Sequence, residues 1–106
     1  MTKYRAKPTE LDGIKFASKG EAGRYAELAA LLKGGVISDL VTHPRFPLVV
    51  NGVKVGTYIA DFSYVDEGAR VVEDFKGMRK GAAWAMFRLK AKLVKALYEI
   101  DVEVVS

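Results

Sequence analysis

Apolar and polar residues change their period several times along the chain, and each change predicts an element. Tyr25, Leu28 and Leu32 recur at helical spacing, with Ala22, Ala26 and Ala29 beside them. Ser18-Lys19-Gly20-Glu21 matches a capping box, which places a helix start at Ser18. Gly34-Gly35 stops that helix. Val36 to Val50 alternates loosely and carries Pro44 and Pro47, which confine a strand to an edge or make it irregular. Asn51-Gly52 is a hairpin turn. Val53 to Val65 predicts a second strand, Asp66-Glu67-Gly68 a turn, and Arg70 to Lys76 a third strand. A basic, glycine-containing connection runs from Met78 to Ala83. Helical spacing returns over Trp84 to Glu99, with Phe87, Leu93, Val94 and Leu97 on one side, and Ile100 to Val105 predicts a short last strand. Ahead of the first helix, Gly13 to Phe16 suits a short strand, and Met1 to Leu11, with Lys3, Arg5 and Lys7, a flexible basic arm. The predicted order is helix, three-strand meander, helix, strand, which is an α+β arrangement.

Composition narrows the class. The chain has 106 residues, the length of one domain spanning 1–106. No apolar run approaches the roughly 20 residues of a membrane span, so no membrane association is expected. The N-terminal stretch has no apolar core of the kind a secretion signal carries, so a cytoplasmic location is expected. The absence of cysteine excludes disulfides and thiolate metal sites. The single histidine, His43, argues against a zinc site built on histidines, and beside Pro44 it is expected to be structural or superficial. A formal net charge of +4 suits either an acidic partner such as nucleic acid or a plain solvated surface.

The placement of acidic residues changes this picture. Strands are depleted in Asp and Lys, yet Asp61 interrupts the apolar run Tyr58–Tyr64 and the third strand ends Asp74-Phe75-Lys76. With a loop of even length centred on Glu67 and Gly68, Asp61 lies opposite Asp74 and Ile59 opposite Lys76. Opposed side chains share a face at about 5 Å between Cβ atoms. A loop of odd length would bring Glu73 opposite Asp61 instead. Two carboxylates at this distance repel one another unless a cation lies between them. Mg²⁺ takes one or two carboxylates together with phosphate oxygens. Lys76 beside it would orient a water or stabilise charge on phosphorus, an arrangement suited to phosphodiester hydrolysis. An exposed sheet face carrying a salt bridge accounts for the same spacing.

Asp61 followed by Asp74-Phe75-Lys76 on the next strand resembles the PD-(D/E)XK nuclease superfamily. More narrowly, the run SKGEAGRYAEL…ISDLVTHPRFPL…NGVKVGTYIADFSY…VVEDFKG is similar to short phage and prophage proteins described as Holliday-junction-resolvase-like. The resemblance covers nearly the whole chain. It implies a restriction-endonuclease-like αβββαβ core, a mixed central sheet flanked by helices. It also implies a Mg²⁺- or Mn²⁺-dependent DNA endonuclease, acting on duplex or branched DNA as a homodimer. Asp61 and Asp74, with the Phe75 carbonyl, would hold the metal, Lys76 would assist catalysis and Glu21 would complete the acidic set. Two departures stand out. Ala60 occupies the position of the superfamily's proline, and Met78-Arg79-Lys80-Gly81 replaces a Thr or Pro that relatives carry after Lys-Gly.

Basic residues extend beyond the motif. Arg88, Lys92 and Lys95 share one helical face, preceded by Arg79 and Lys80, and no acidic residue interrupts the span between Lys76 and Glu99. Phosphate contact accounts for this run more economically than a solvated face. Two rivals remain: a non-catalytic DNA-binding protein that keeps the fold, and a small RNA-binding module reliant on the basic arm, which leaves Asp61, Asp74 and Lys76 unexplained.

Overall fold

A computed structural model describes residues 8–106, and Lys3, Arg5 and Lys7 of the expected arm lie outside the described residues. Part of that arm is in fact ordered into a strand. Thr9–Leu11 (β1) pairs antiparallel with Ile14–Phe16 (β2). Asp12 and Gly13 between them have φ of 53° and 76°, the left-handed pair that a two-residue hairpin turn demands. The first helix, Lys19–Lys33 (α1), starts as expected, with the Ser18 hydroxyl accepting from the Glu21 N–H at 3.1 Å. Ala22 and Leu28 are buried, but Leu32 is 41% exposed, so the apolar stripe ends a turn early.

The largest difference from expectation lies in the meander. The two long strands predicted over Val36–Val50 and Val53–Val65 are each broken in the middle, giving Ile37–Thr42 (β3), Arg45–Val50 (β4), Val53–Ile59 (β5) and Phe62–Asp66 (β6). The four pieces still form one long antiparallel hairpin, closed by Asn51-Gly52. Two main-chain bonds carry the ladder across the break: the His43 N–H donates to Asp61 O at 2.9 Å, and the Ala60 N–H to Pro44 O at 3.0 Å. The physical cause of the bend is local. Pro44 has no N–H to give to a ladder, and His43 sits at a φ of 53°, which no extended strand accommodates.

Beyond the bend the two halves have different neighbours. Of the four hairpin strands, β6 is the one that pairs with Ala69–Phe75 (β7), from Phe62↔Glu73 to Asp66↔Ala69, around a tight Glu67-Gly68 turn with φ of 52° and 80°. Val102–Val105 (β8) pairs with β7 in parallel. The sheet order is therefore β3-β6-β7-β8, a mixed sheet, and β4–β5 departs from it as a separate two-stranded arm. Ile59 lies in that arm opposite Arg45, so the expected pairing of Ile59 with Lys76 does not occur.

The second helix, Gly81–Tyr98 (α2), begins ahead of the predicted Trp84. The helices cover opposite faces of the sheet. On one face α1 contributes Ala22 and Leu28 to a core with Phe16, Ile37, Phe62 and Tyr64, joined by Val71. On the other α2 contributes Phe87 and Val94 to a core with Phe46, Leu48, Tyr58, Ala60 and Val72. Neighbouring Val71 and Val72 thus serve different cores, as a period of two requires. The protein is α+β, two helices flanking a mixed sheet. No helix among the described residues is long and apolar enough to cross a membrane.

One buried charge ties α1 to the sheet. Glu73 is 2% exposed and receives both Nε and Nη2 of Arg24, at 2.6 and 2.9 Å, together with the Tyr64 hydroxyl at 2.6 Å. Hydrogen bonding to Glu73 pushes the Arg24 guanidinium well above its usual range. Burial, with the same carboxylate, pushes the Tyr64 hydroxyl up to about 12. Glu73 is thereby satisfied as a structural anion. Arg24→Met is expected to destabilise the protein by about 3 kcal/mol, because it strands a buried carboxylate. Urea unfolding measures this, and a loss near zero would show that Glu73 finds water instead.

Candidate functional site: a carboxylate and imidazole cluster at the sheet bend

The bend brings three elements to one place. Glu21 stands in the first turn of α1, 6% exposed, where the helix N-terminus favours negative charge. His43 occupies the β3–β4 corner and Asp61 the β5–β6 corner. The His43 Nε2 lies 3.0 Å from Glu21 Oε2. One ligand atom from each of Glu21, His43 and Asp61 falls within 4.8 Å of the others.

Asp74 joins them from β7. The β6–β7 register, with Phe62 opposite Glu73 and the Asp61 N–H reaching Glu73 O at 3.2 Å, sets Asp61 alongside Asp74. This is the register expected of an even loop, and it removes Glu73 from the site, on the face where Arg24 and Tyr64 hold it. The Asp61 and Asp74 carboxyls are close enough that each influences the other's titration. Asp61 Oδ2 also accepts from the Phe75 N–H at 2.7 Å. Asp74 Oδ2 accepts a hydrogen bond from the Tyr58 hydroxyl. Lys76 Nζ lies 4.0 Å from the same oxygen and 4.5 Å above the centre of the Phe87 ring.

The electrostatics are those of crowded acids. Asp74 is 3% exposed, and burial, followed by the neighbouring Asp61, pushes its carboxyl from 3.8 up to about 7. Burial also raises Asp61, with Glu21 adding to the rise while Asp74 and the Phe75 N–H oppose it. Tyr58 is driven above its usual range by burial and by the Asp74 carboxylate. Arg24, the arginine of this end of α1, is committed to Glu73.

Beside Asp74 a cavity of about 350 Å³ opens between β5 and α2, and its lining includes Tyr58, Ile59, Lys76, Met86, Phe87 and Lys90. Lys90 is thus the cation that α2 brings to the site. At about 100° per residue, Arg88, Lys92 and Lys95 fall on the other flank of the helix. All three are exposed, and Lys95 Nζ is paired with Asp101 at 2.9 Å. Arg79 and Lys80 are exposed in the lead-in to α2.

Of the residues singled out by sequence, Glu21, Asp61, Asp74 and Lys76 come together here. Sequence reasoning missed His43 and Tyr58. The signal for His43 was its place before Pro44 in mid-strand, which marks a bend where a side chain can turn off the sheet. Tyr58 left no signal, because an aromatic on a buried strand face is ordinary core.

The donor set fits a divalent cation. Ligand atoms about 2.0–2.2 Å from one ion stand about 3 to 4 Å apart, so side-chain adjustments of under an ångström or so suffice for Glu21, His43 and Asp61. Fold and cluster together define an α+β protein with a partly buried carboxylate and imidazole centre at a sheet bend. The chain belongs to the family described as "Protein of unknown function (DUF1064)", whose model matches residues 1–105. No curated protein and no solved structure matches it.

The raised Asp74 carboxyl has a consequence for stability. Between pH 3.8 and about 7 the folded protein binds more protons at Asp74 than the unfolded chain does, so stability falls as pH rises through that window. The melting temperature of the metal-free protein is expected to fall across this interval, and Asp74→Asn to remove part of that slope. Identical slopes for the two proteins would show that Asp74 does not carry the proton.

Proposed function

We propose that the chain is a metal-dependent DNA endonuclease of the phage type, hydrolysing phosphodiester bonds and cutting branched or duplex DNA as a homodimer in the cytoplasm of the cell that holds it. One observation carries the reading. Asp61 and Asp74, whose mutual repulsion a cation would relieve, meet Glu21 from a different element, with Lys76 alongside. Structural carboxylates in this protein look different: Glu73 is neutralised by Arg24 and needs nothing further.

Asp61, Asp74 and Glu21 would hold a Mg²⁺ or Mn²⁺ ion, which would neutralise phosphate charge and make water a better nucleophile. The chain's own residues do the rest. The Phe75 N–H and the Tyr58 hydroxyl orient the Asp61 and Asp74 carboxylates. Lys76, its ammonium over the Phe87 ring, is placed to stabilise charge developing on the phosphoryl group. Lys90 supplies the phosphate contact nearest the site, and Arg79, Lys80, Arg88 and Lys92 add charge along α2 and its lead-in.

Incubation with four-way junction, duplex and single-stranded DNA is the direct test, with Mg²⁺ or Mn²⁺ against chelator. Cleavage is expected with metal only, and Asp74→Asn is expected to lower the rate at least about a hundredfold, on the scale of losing one preorganised charge-stabilising group. No cleavage of any form, with DNA still bound, would make the protein a binding module. For Lys90→Ala the log–log salt dependence of DNA affinity is expected to flatten by about 0.9, the value of one phosphate contact. An unchanged slope would move the DNA track away from the cavity.

A further inference from the structure

We propose that Glu21, His43 and Asp61 form a mixed nitrogen and oxygen site that takes a first-row transition-metal dication, of the Mn²⁺ to Zn²⁺ class, in preference to Mg²⁺. The proposal rests on the nuclease reading for what the ion is used for, and on geometry alone for which ion it is.

His43 is held for this role by more than one contact. Its backbone N–H is locked to Asp61 O at 2.9 Å, so the histidine and one carboxylate ligand move together. Its φ of 53° is a conformation that a non-glycine residue adopts at some cost in free energy. The ladder on both sides of the bend keeps it there, and the result is an imidazole turned off the sheet toward α1. The Phe16 ring, 2% exposed, packs against the imidazole with centroids 5.9 Å apart. Nε2 is the atom that faces the carboxylates, 3.0 Å from Glu21 Oε2.

The carboxylates are prepared in the same way. Asp61 is oriented by the Phe75 N–H at 2.7 Å, the type of outer contact that sets the direction of metal ligands. Glu21 is fixed by its place in the first turn of α1, whose start is set by the Ser18 cap. The three donors come from three separate elements, and their ligand atoms lie within 4.8 Å of one another. Three protein ligands leave positions for water or phosphate oxygen, as in catalytic metal sites.

The imidazole decides the metal class. Mg²⁺ is a hard ion that prefers oxygen and dehydrates reluctantly, whereas imidazole nitrogen suits Mn²⁺, Co²⁺ and Ni²⁺ increasingly well and also suits Zn²⁺. A carboxylate-only pair, Asp61 with Asp74, would show no such preference.

The test is metal binding, read separately from cleavage, on the untagged full-length chain. Calorimetric titration is expected to show Mn²⁺ and Zn²⁺ binding at least about tenfold more tightly than Mg²⁺. His43→Asn is the variant of choice, because Asn tolerates the left-handed backbone while removing the ring nitrogen. It is expected to weaken Mn²⁺ and Zn²⁺ at least about tenfold and Mg²⁺ much less, so that the preference narrows. The chain has one histidine, so in the wild-type protein the imidazole NMR signals report on His43 alone and decide the matter even if the variant fails to fold. Zn²⁺ is expected to shift them in step with the calorimetric isotherm. Metal binding that leaves those signals unmoved, or equal affinity for Mg²⁺ and Mn²⁺, would overturn the proposal. A His43-dependent preference in a protein that cuts no DNA would uphold this site and sink the nuclease reading. Mg²⁺-driven cleavage with a silent imidazole would do the reverse.

Discussion

The bend in the long hairpin, at His43-Pro44 on one side and Ala60-Asp61 on the other, is the constraint on which the rest of the structure depends. Two main-chain hydrogen bonds keep the ladder continuous there, so the hairpin turns without coming apart. Past this point β6 acquires β7 as a second partner, while β5 keeps only β4. A straight hairpin would have carried Asp61 out along a flat strand surface. The bend instead turns Asp61 and His43 toward the first turn of α1, so that Glu21 meets residues far from it along the chain.

Two kinds of buried carboxylate sit side by side on β7, and their contrast separates architecture from chemistry. Glu73 points to the α1 face and is matched by a guanidinium and a phenol, which satisfy its oxygens. Asp74, the next residue, points to the α2 face, where its neighbours are another acid, a tyrosine and a lysine at 4.0 Å. Burial without full compensation raises its carboxyl. Buried acids with raised carboxyls cluster at functional sites more often than elsewhere.

Much of this was legible along the chain. The capping box of Ser18 and Glu21, the Asn51-Gly52 and Glu67-Gly68 turns, and the mixed α+β order follow from local chemistry. The turn at Glu67-Gly68 narrowed the partner of Asp61 to Asp74 or Glu73, since register follows turn length once one face is buried, and the observed register is the one that selects Asp74. Less legible were the β1–β2 hairpin, announced only by Asp12-Gly13, and the early start of α2 through residues that looked like a loop. The basic face of Arg88, Lys92 and Lys95 was a true helical face, but periodicity cannot say which flank of a helix meets a site. Packing of Phe87 and Val94 settled that, and it is Lys90 that reaches the cavity.

The sequence by itself determined the two helices, the hairpin turns and a choice of two partners for Asp61, because each depends on residues close along the chain or joined by one short turn. Only the tertiary structure decided that Glu73 is a structural anion, that Tyr58 holds Asp74, and that His43 completes a cluster with Glu21 and Asp61. Those contacts join residues far apart in the chain, and they exist because the bent hairpin and the docking of α1 close the distance between them. A lone histidine before a proline carries no mark of that closure until the backbone around it is folded.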